Sequence, residues 1–335
     1  MASPSWTQAE SPFHIGEMDV QRRMGVRDKM ERQGRRFIRD YLPEQHREFY
    51  SRLPFLIVAM TDDRDRPWIS VLTGPAGFIT SPDPHHLNIK TQPLFGSPLV
   101  AQLKVGADIG ILGILPANRR RNRLTGQISE IDADGITVAI AQTFGNCPQY
   151  IQTRDIQVLP ESAHPQQEKS VEHGTVLDAA AQDLITRSDT LFIATAYRAG
   201  HDSPAFGADA SHRGGKPGFV RIEDEQTFIF PDFTGNSHFN TVGNLLLNPK
   251  AGFLFIDFEA RDVLYLTGTT EIVWNGEEVS AFLGAERFIR LHIEEWRRVR
   301  QSLPLQFQFG EYSPVLHHSG SWEQMDDILQ RNHTA

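Results

Sequence analysis

From Leu53 onward, apolar residues recur in short runs that mostly alternate with polar ones. This period-two pattern predicts strands over 55–60, 68–72, 77–80, 86–89, 108–114, 125–132 and 135–141, separated by Gly, Pro and Asp breakers. Asp134-Gly135 between two such runs predicts a hairpin. After a polar stretch the pattern restarts: a helix over 176–188, then strands over 191–197, 205–210, 218–222, 227–231, 251–257, 263–267 and 270–274. Ile289 to Ile293 alternates as a last strand, with 296–300 expected to cover a cleft. Before Leu53 the spacing is helical. Met18, Val20, Met24, Met30, Phe37, Ile38 and Tyr41 predict a helix over 17–41, which Gly25 and Gly34 weaken, and Pro43 opens a second, short helix through Arg52.

The restart is a repeat. Gly77-Phe78-Ile79 matches Gly218-Phe219-Val220 at an offset of 141, and Leu124-Thr125-Gly126 matches Leu266-Thr267-Gly268 at 142. The apolar run Ile111-Leu112-Gly113-Ile114 matches Phe253-Leu254-Phe255-Ile256, also at 142. A period this long predicts two copies of a domain rather than a solenoid. Each copy should carry one helix between its strand groups. Ser97 and Pro98 would open the first, running to Gly106; Asn236 or Ser237 would cap the second, ending at Asn248-Pro249. The expected architecture is mainly β, two barrels with flanking helices, packed about a pseudo-twofold axis with a ligand cleft between them. The expected boundaries are an N-terminal helical arm over 1–52, a first half over 53–160, a linker over 161–175 and a second half over 176–330.

Charge and cysteine content narrow the function. Thirty-three Lys and Arg against 42 Asp and Glu give a net charge of −9, a poor match to sequence-independent nucleic-acid binding. No apolar run reaches the roughly 18 residues of a bilayer span, and the N-terminus lacks a secretory pattern, so no membrane association and a cytoplasmic location are expected. A single cysteine, Cys147, excludes an intrachain disulfide and a multi-cysteine metal site. The histidines lack ligand spacing, so no metal is expected.

The chemistry concentrates in the second half. Ser211-His212-Arg213-Gly214-Gly215-Lys216-Pro217-Gly218 leads into a strand carrying Arg221, followed by Phe230-Pro231-Asp232-Phe233-Thr234-Gly235-Asn236-Ser237 and a helix. Glycines admit a ligand close to the backbone, arginine forks fit phosphate, and a helix start offers free N–H groups. This order of elements resembles the FMN-binding split barrel of the pyridoxamine 5′-phosphate oxidase-like superfamily, and the stretch Phe144-Gly145-Asn146-Cys147-Pro148-Gln149-Tyr150-Ile151 resembles a subgroup of it. The resemblance spans residues 45–320 and implies tandem FMN-binding split barrels packed as a pseudo-dimer, either monomeric or within a homodimer.

It further implies an FMN-dependent oxidoreductase, moving hydride or electrons through flavin N5 on an unidentified small substrate. The alternative is a non-catalytic flavin- or haem-binding module. The implied cofactor-binding residues of the second half are Ser211, Arg213, Lys216, Arg221, Pro231, Asn236, Asn240 and Asn244. Those of the first half, roofing the site, are Trp68, Ser70, Gln142, Thr143 and Asn146. The oxidases carry a Ser-Arg-Lys stretch at the helix; residues 236–241 here hold no Arg or Lys, so pyridoxamine phosphate oxidation itself is not expected. Thr80 stands opposite Arg221 in the repeat, so one competent site per chain is expected.

With no Gly-x-Gly-x-x-Gly between a strand and a helix, reductant would come as NAD(P)H or from a separate reductase; some relatives are joined to ferredoxin-reductase-like modules. Arg119-Arg120-Arg121-Asn122-Arg123 reads as a solvated cationic turn able to dock an anionic partner or cofactor, and Cys147 as a small hydrophobe.

Overall fold

The computed structural model describes residues 5–160 and 169–334. Three helices open the chain: α1 (Ile15–Arg23), α2 (Arg27–Phe37) and α3 (Glu44–Ser51). The single helix expected over 17–41 is broken where Gly25 takes a left-handed φ of 67°. The first half then runs β1 (Phe55–Thr61), β2 (Pro67–Thr73), β3 (Ile79–Thr80), β4 (His86–Ile89), β5 (Asp108–Leu115), β6 (Arg120–Ile131) and β7 (Ile136–Asn146). Two short strands follow, β8 (Arg154–Val158) and β9 (Val171–Gly174). The second half runs α4 (Ala179–Arg187), β10 (Thr190–Tyr197), β11 (Gly207–Gly214), β12 (Arg221–Asp224), β13 (Thr227–Phe233), α5 (Asn240–Leu247), β14 (Lys250–Ile256), β15 (Val263–Val273), α6 (Glu277–Ala281) and β16 (Ala285–Val299). β17 (Leu305–Phe309) and α7 (Trp322–Thr334) close the chain.

The two sheets have the same strand order: β2-β1-β5-β6-β7-β4-β3 and β11-β10-β14-β15-β16-β13-β12. Their registers match as well. Ala59 pairs with Gly110, which pairs with Thr125, and Ala194 with Gly252, which pairs with Thr267. Both sheets also slip register at one equivalent place, after Thr125 and after Thr267. The fold is mainly β, a tandem pair of split barrels packed as a pseudo-dimer.

Strands β1 and β10 are apolar along nearly their whole length because both faces are covered, one by their own barrel and one by the other half. At the seam the backbones touch. A Cβ on Gly110 would lie 2.6 Å from the Ala208 carbonyl oxygen, and one on Gly252 would lie 2.4 Å from that of Pro67, so only glycine admits either approach. One continuous core crosses this seam, joining Ile57, Ile111 and Leu124 to Phe192, Leu254 and Tyr265.

Several expectations are corrected. Residues 161–168 of the expected linker lie outside the described residues, and 171–174 form β9 against the end of β16. In place of the helix expected over 98–106 stands a single 3-10 turn, Val100–Gln102. The Ser97 hydroxyl donates to Ser70 Oγ at 2.9 Å, and Gly106 N–H to the Ile128 carbonyl, tying the segment to the sheet. Trp296 does not cover a cleft. It lies in β16, in the second-half core, and donates to the Val176 carbonyl at 2.8 Å. Among the described residues no helix is long and apolar enough to cross a membrane.

Candidate functional site

A cleft open to solvent lies between the end of the first-half sheet and the second-half barrel. Strand β6 sends Arg121 and Arg123 into it, two residues apart and therefore on one face. The end of β7 adds Asn146, and the turn after it adds Cys147, Gln149 and Tyr150. From the second half come the end of β11 (Ser211 to Gly214), the end of β13, Glu286, and the first turn of α5 with the loop before it.

The electrostatics divide the cationic side chains by their partners. Arg123 is held by Asp209, Nε to Oδ1 at 2.6 Å, with both side chains nearly inaccessible. Arg213 is 3.1 Å from Asp232, whose other oxygen faces the fully buried Arg287 at 3.3 Å. Arg121 differs. Its Nε donates to the Cys147 carbonyl at 2.7 Å and its Nη1 faces His212 Nδ1 at 3.3 Å. Among the described residues, no carboxylate lies in ion-pair range of it.

Burial, reinforced by Arg213, pushes the Arg121 guanidinium down to about 10. Burial, with Arg121, Arg213 and Arg154 nearby, holds His212 well below its usual range, so its imidazole is neutral and accepts from Arg121. A half-buried guanidinium without a carboxylate partner favours an anion in the cleft.

The helix start favours the same ligand. Phe239, the N-cap of α5, offers no side-chain cap and takes a left-handed φ of 62°; Ser237 does so at 61°. Two non-glycine residues in this region store strain at the mouth of the helix, as binding sites often do. The cleft is lined by Asn240, Thr241 and Val242, whose N–H groups are among those a helix leaves without intrahelical partners. Across the opening, Tyr150 stacks on Phe233, rings 5.2 Å apart and inclined by 18°, and donates from its hydroxyl to the Thr234 carbonyl. Burial, then Cys147, Glu286 and Asp232, raise the Tyr150 phenol above its usual value, so it stays protonated.

Of the residues expected at the site, Ser211, Arg213, Pro231, Asn236, Asn240 and Asn146 line the cleft. Asn236 Nδ2 reaches Asn146 Oδ1 at 3.4 Å, bridging the two halves. Lys216 and Arg221 do not line it. Arg221 sits on edge strand β12, where α7 packs; it pairs with Asp326 at 3.2 Å and lies 4.5 Å over the Trp322 ring. Lys216 donates to the Ser319 carbonyl at 2.6 Å.

Asn244 is one turn too deep in α5, accepting from His14 Nε2 at 2.9 Å and donating to Thr195 at 3.0 Å. Gln142 donates to the Pro12 carbonyl at 2.9 Å, and Thr143 is buried with its backbone paired to Arg39. Trp68, buried and donating to Asp62 at 3.1 Å, is also outside the cleft, as is Ser70. The strand registers give the reason for these two. They occupy the first-half positions that correspond to Asp209 and Ser211, so they belong to the opposite pseudo-equivalent site.

That opposite site has no comparable chemistry. In the same registers Val263 and Tyr265 stand for Arg121 and Arg123, and Val71 and Leu72 for His212 and Arg213. Tyr265, Ser70 and Ser97 fill it, hydroxyl to hydroxyl at 3.5 and 2.9 Å.

Arg121, Arg123, His212 and Tyr150 were not singled out as site residues from sequence. The available signal was the alternation of Arg121 and Arg123, which in a strand aims both at one surface.

The family match falls on the half that carries most of the cleft. Residues 177–307 match the family model described as pyridoxamine 5′-phosphate oxidase. No curated protein matches the chain. Among solved structures, HupZ from Group A Streptococcus is similar, at 20% identity over 41% of this chain and 98% of its own, with a TM-score of 0.28. An FMN-binding protein from Syntrophomonas wolfei matches at 14% identity over 35% of this chain and 82% of its own, TM-score 0.27. A Clostridium acetobutylicum protein related to general stress protein 26, of the pyridoxinephosphate oxidase family, matches at 14% identity over 39% and 92%, TM-score 0.26.

Proposed function

We propose that this chain binds one FMN in the cleft between its halves and serves as a flavin-dependent oxidoreductase. The observation that carries the reading is Arg121, a half-buried guanidinium with no carboxylate in range among the described residues, sharing the cleft with a helix start and Arg213. Arg121, Arg213, Ser211, Asn240 and the first amides of α5 would hold the phosphate. Tyr150, Phe233 and Phe239 provide the aromatic surfaces at the opening, suited to a planar ring.

Bound FMN would supply the redox chemistry, and the protein would contribute binding, orientation and electrostatics. Arg121 and Arg213 keep positive charge near the ligand. Neutral His212 fixes the Arg121 guanidinium without competing for the anion. The protonated Tyr150 phenol ties the loop after β7 to Thr234, just past the end of β13. The filled opposite site supports a stoichiometry of one per chain. Reductant is proposed to come as NAD(P)H or from a separate reductase.

The test is a titration of the purified chain with FMN, followed by flavin fluorescence and the visible spectrum. One equivalent of tightly held flavin that bleaches anaerobically on addition of NAD(P)H or a reductase is expected. A protein that ignores FMN, or that shows a Soret band instead, refutes the reading. Flavin that binds and cannot be reduced refutes only the oxidoreductase half.

A further inference from the structure

A segment more than two hundred residues away in sequence packs against α5, the helix whose first turn lines the cleft. Helix α1 crosses α5 backbone to backbone: a Cβ on Gly16 would lie 2.2 Å from the Gly243 carbonyl oxygen, and one on Gly243 would lie 2.6 Å from Glu17 N. This crossing brings the Glu17 side chain beneath the first turn of α5. Its Oε2 accepts from the His14 N–H at 2.9 Å, and its Oε1 accepts from the side-chain amide of Asn240. Arg123 is close enough to act on its charge. Burial raises the Glu17 carboxyl, while His14, Arg123 and the two hydrogen bonds pull it down.

A capping role in α1 accounts for the contact to His14, which forms a capping box with Glu17. It does not account for the contact to Asn240. By charge alone, a carboxylate behind an anion site weakens that site. Its place there fits a geometrical task instead. One donor of the Asn240 amide is tied back to Glu17, which fixes the side chain at the cleft edge.

We infer that Glu17 is a positioning residue for the anion-binding end of the cleft, acting through Asn240 without touching the ligand; the inference rests on the FMN reading above. The N-terminal arm is then part of the binding site as well as a surface clasp.

The experiment compares FMN with riboflavin, which lacks the phosphate, by fluorescence titration of the full chain. Glu17→Ala should weaken FMN binding tenfold or more and riboflavin binding less than twofold. Glu17→Gln keeps an acceptor and, with the Asn240 amide turned over, both contacts, so its FMN affinity should stay within threefold of wild type. Equal losses for both flavins, an unchanged FMN affinity in Glu17→Ala, or Glu17→Gln as weak as Glu17→Ala each overturn the inference. Should Glu17→Ala not fold, Glu17→Asp carries the same test, because it keeps a carboxylate in the first turn of α1 while the shorter side chain gives up the reach to Asn240: a loss selective for FMN supports the inference and its absence overturns it. A wild-type chain that binds neither flavin defeats the FMN reading and this inference with it. A wild-type chain that binds FMN beside indifferent variants defeats this inference alone.

Discussion

Arg213→Leu introduces the residue that the first half carries at the equivalent strand position, Leu72. The native side chain lines the cleft, is 23% exposed and leans on Asp232 at 3.1 Å. A hydrogen bond to a charged group contributes about 1.5–3 kcal/mol. The partial exposure, and the share of the charge already engaged by Asp232, favour the lower part of that range. At ~2 kcal/mol the loss is about 25-fold in Kd. The fold should tolerate the change, because Asp232 keeps Arg287 at 3.3 Å and is not left as an unpaired buried charge. The assay is a flavin fluorescence titration at fixed ionic strength, with urea unfolding as a control. Arg221→Ala is the counterpart. It should leave the FMN Kd unchanged and lower stability by about 1 kcal/mol, through loss of a half-exposed ion pair and a cation–π contact. An Arg213→Leu Kd within twofold of wild type, or a large loss in Arg221→Ala, would refute the placement of the phosphate.

Three further outcomes are expected. Arg154→Met removes the partner of Asp189, a buried pair at 2.6 Å that ties β8 to the start of β10, and should cost ~3–5 kcal/mol in urea unfolding; a change under 1 kcal/mol would count against it. His212 and His238 are both held below the ordinary 6.5 by burial, His238 at about 4, so the unfolded chain binds more protons than the folded one between those values. Stability should therefore be full above pH 6.5 and fall toward pH 4, by at most about 1.4 kcal/mol per pH unit for each histidine; a flat profile from pH 7 to 4 would contradict their burial in the neutral form. Cys147 lines the cleft and is only partly buried, so saturating FMN should slow its alkylation by iodoacetamide; equal rates with and without FMN would place the ligand elsewhere.

The strands were legible because their apolar alternation is a local property, and the shared strand order followed from offsets of 141 and 142 between like motifs. The failures are equally physical. Ser97 and Pro98 look like a helix start, yet the Ser97 hydroxyl is claimed by Ser70 across the barrel, a long-range contact that local propensity does not contain. Asn236 and Ser237 look like caps, yet the helix begins only after Phe239, once the strained loop has turned into the cleft. Lys216 and Arg221 belong to the cationic, glycine-rich stretch that suggests a phosphate site, yet the C-terminal segment, about one hundred residues downstream, takes both: Ser319 just before α7 and Asp326 within it. Arg121 and Arg123 resemble a solvated turn until β6 is seen to begin at Arg120 and to aim alternate side chains at the other half.

A true homodimer must satisfy the same sequence twice, once in each symmetric seat. Here the two seats are written separately, and Tyr265 with Ser70 and Ser97 occupies the second. If the proposed site holds, an FMN titration should therefore show a single class of site per chain and follow a plain hyperbola. The positions of Leu72 and Val263 answer to packing alone and should accept apolar exchanges of similar volume, a freedom that their counterparts Arg213 and Arg121 lack.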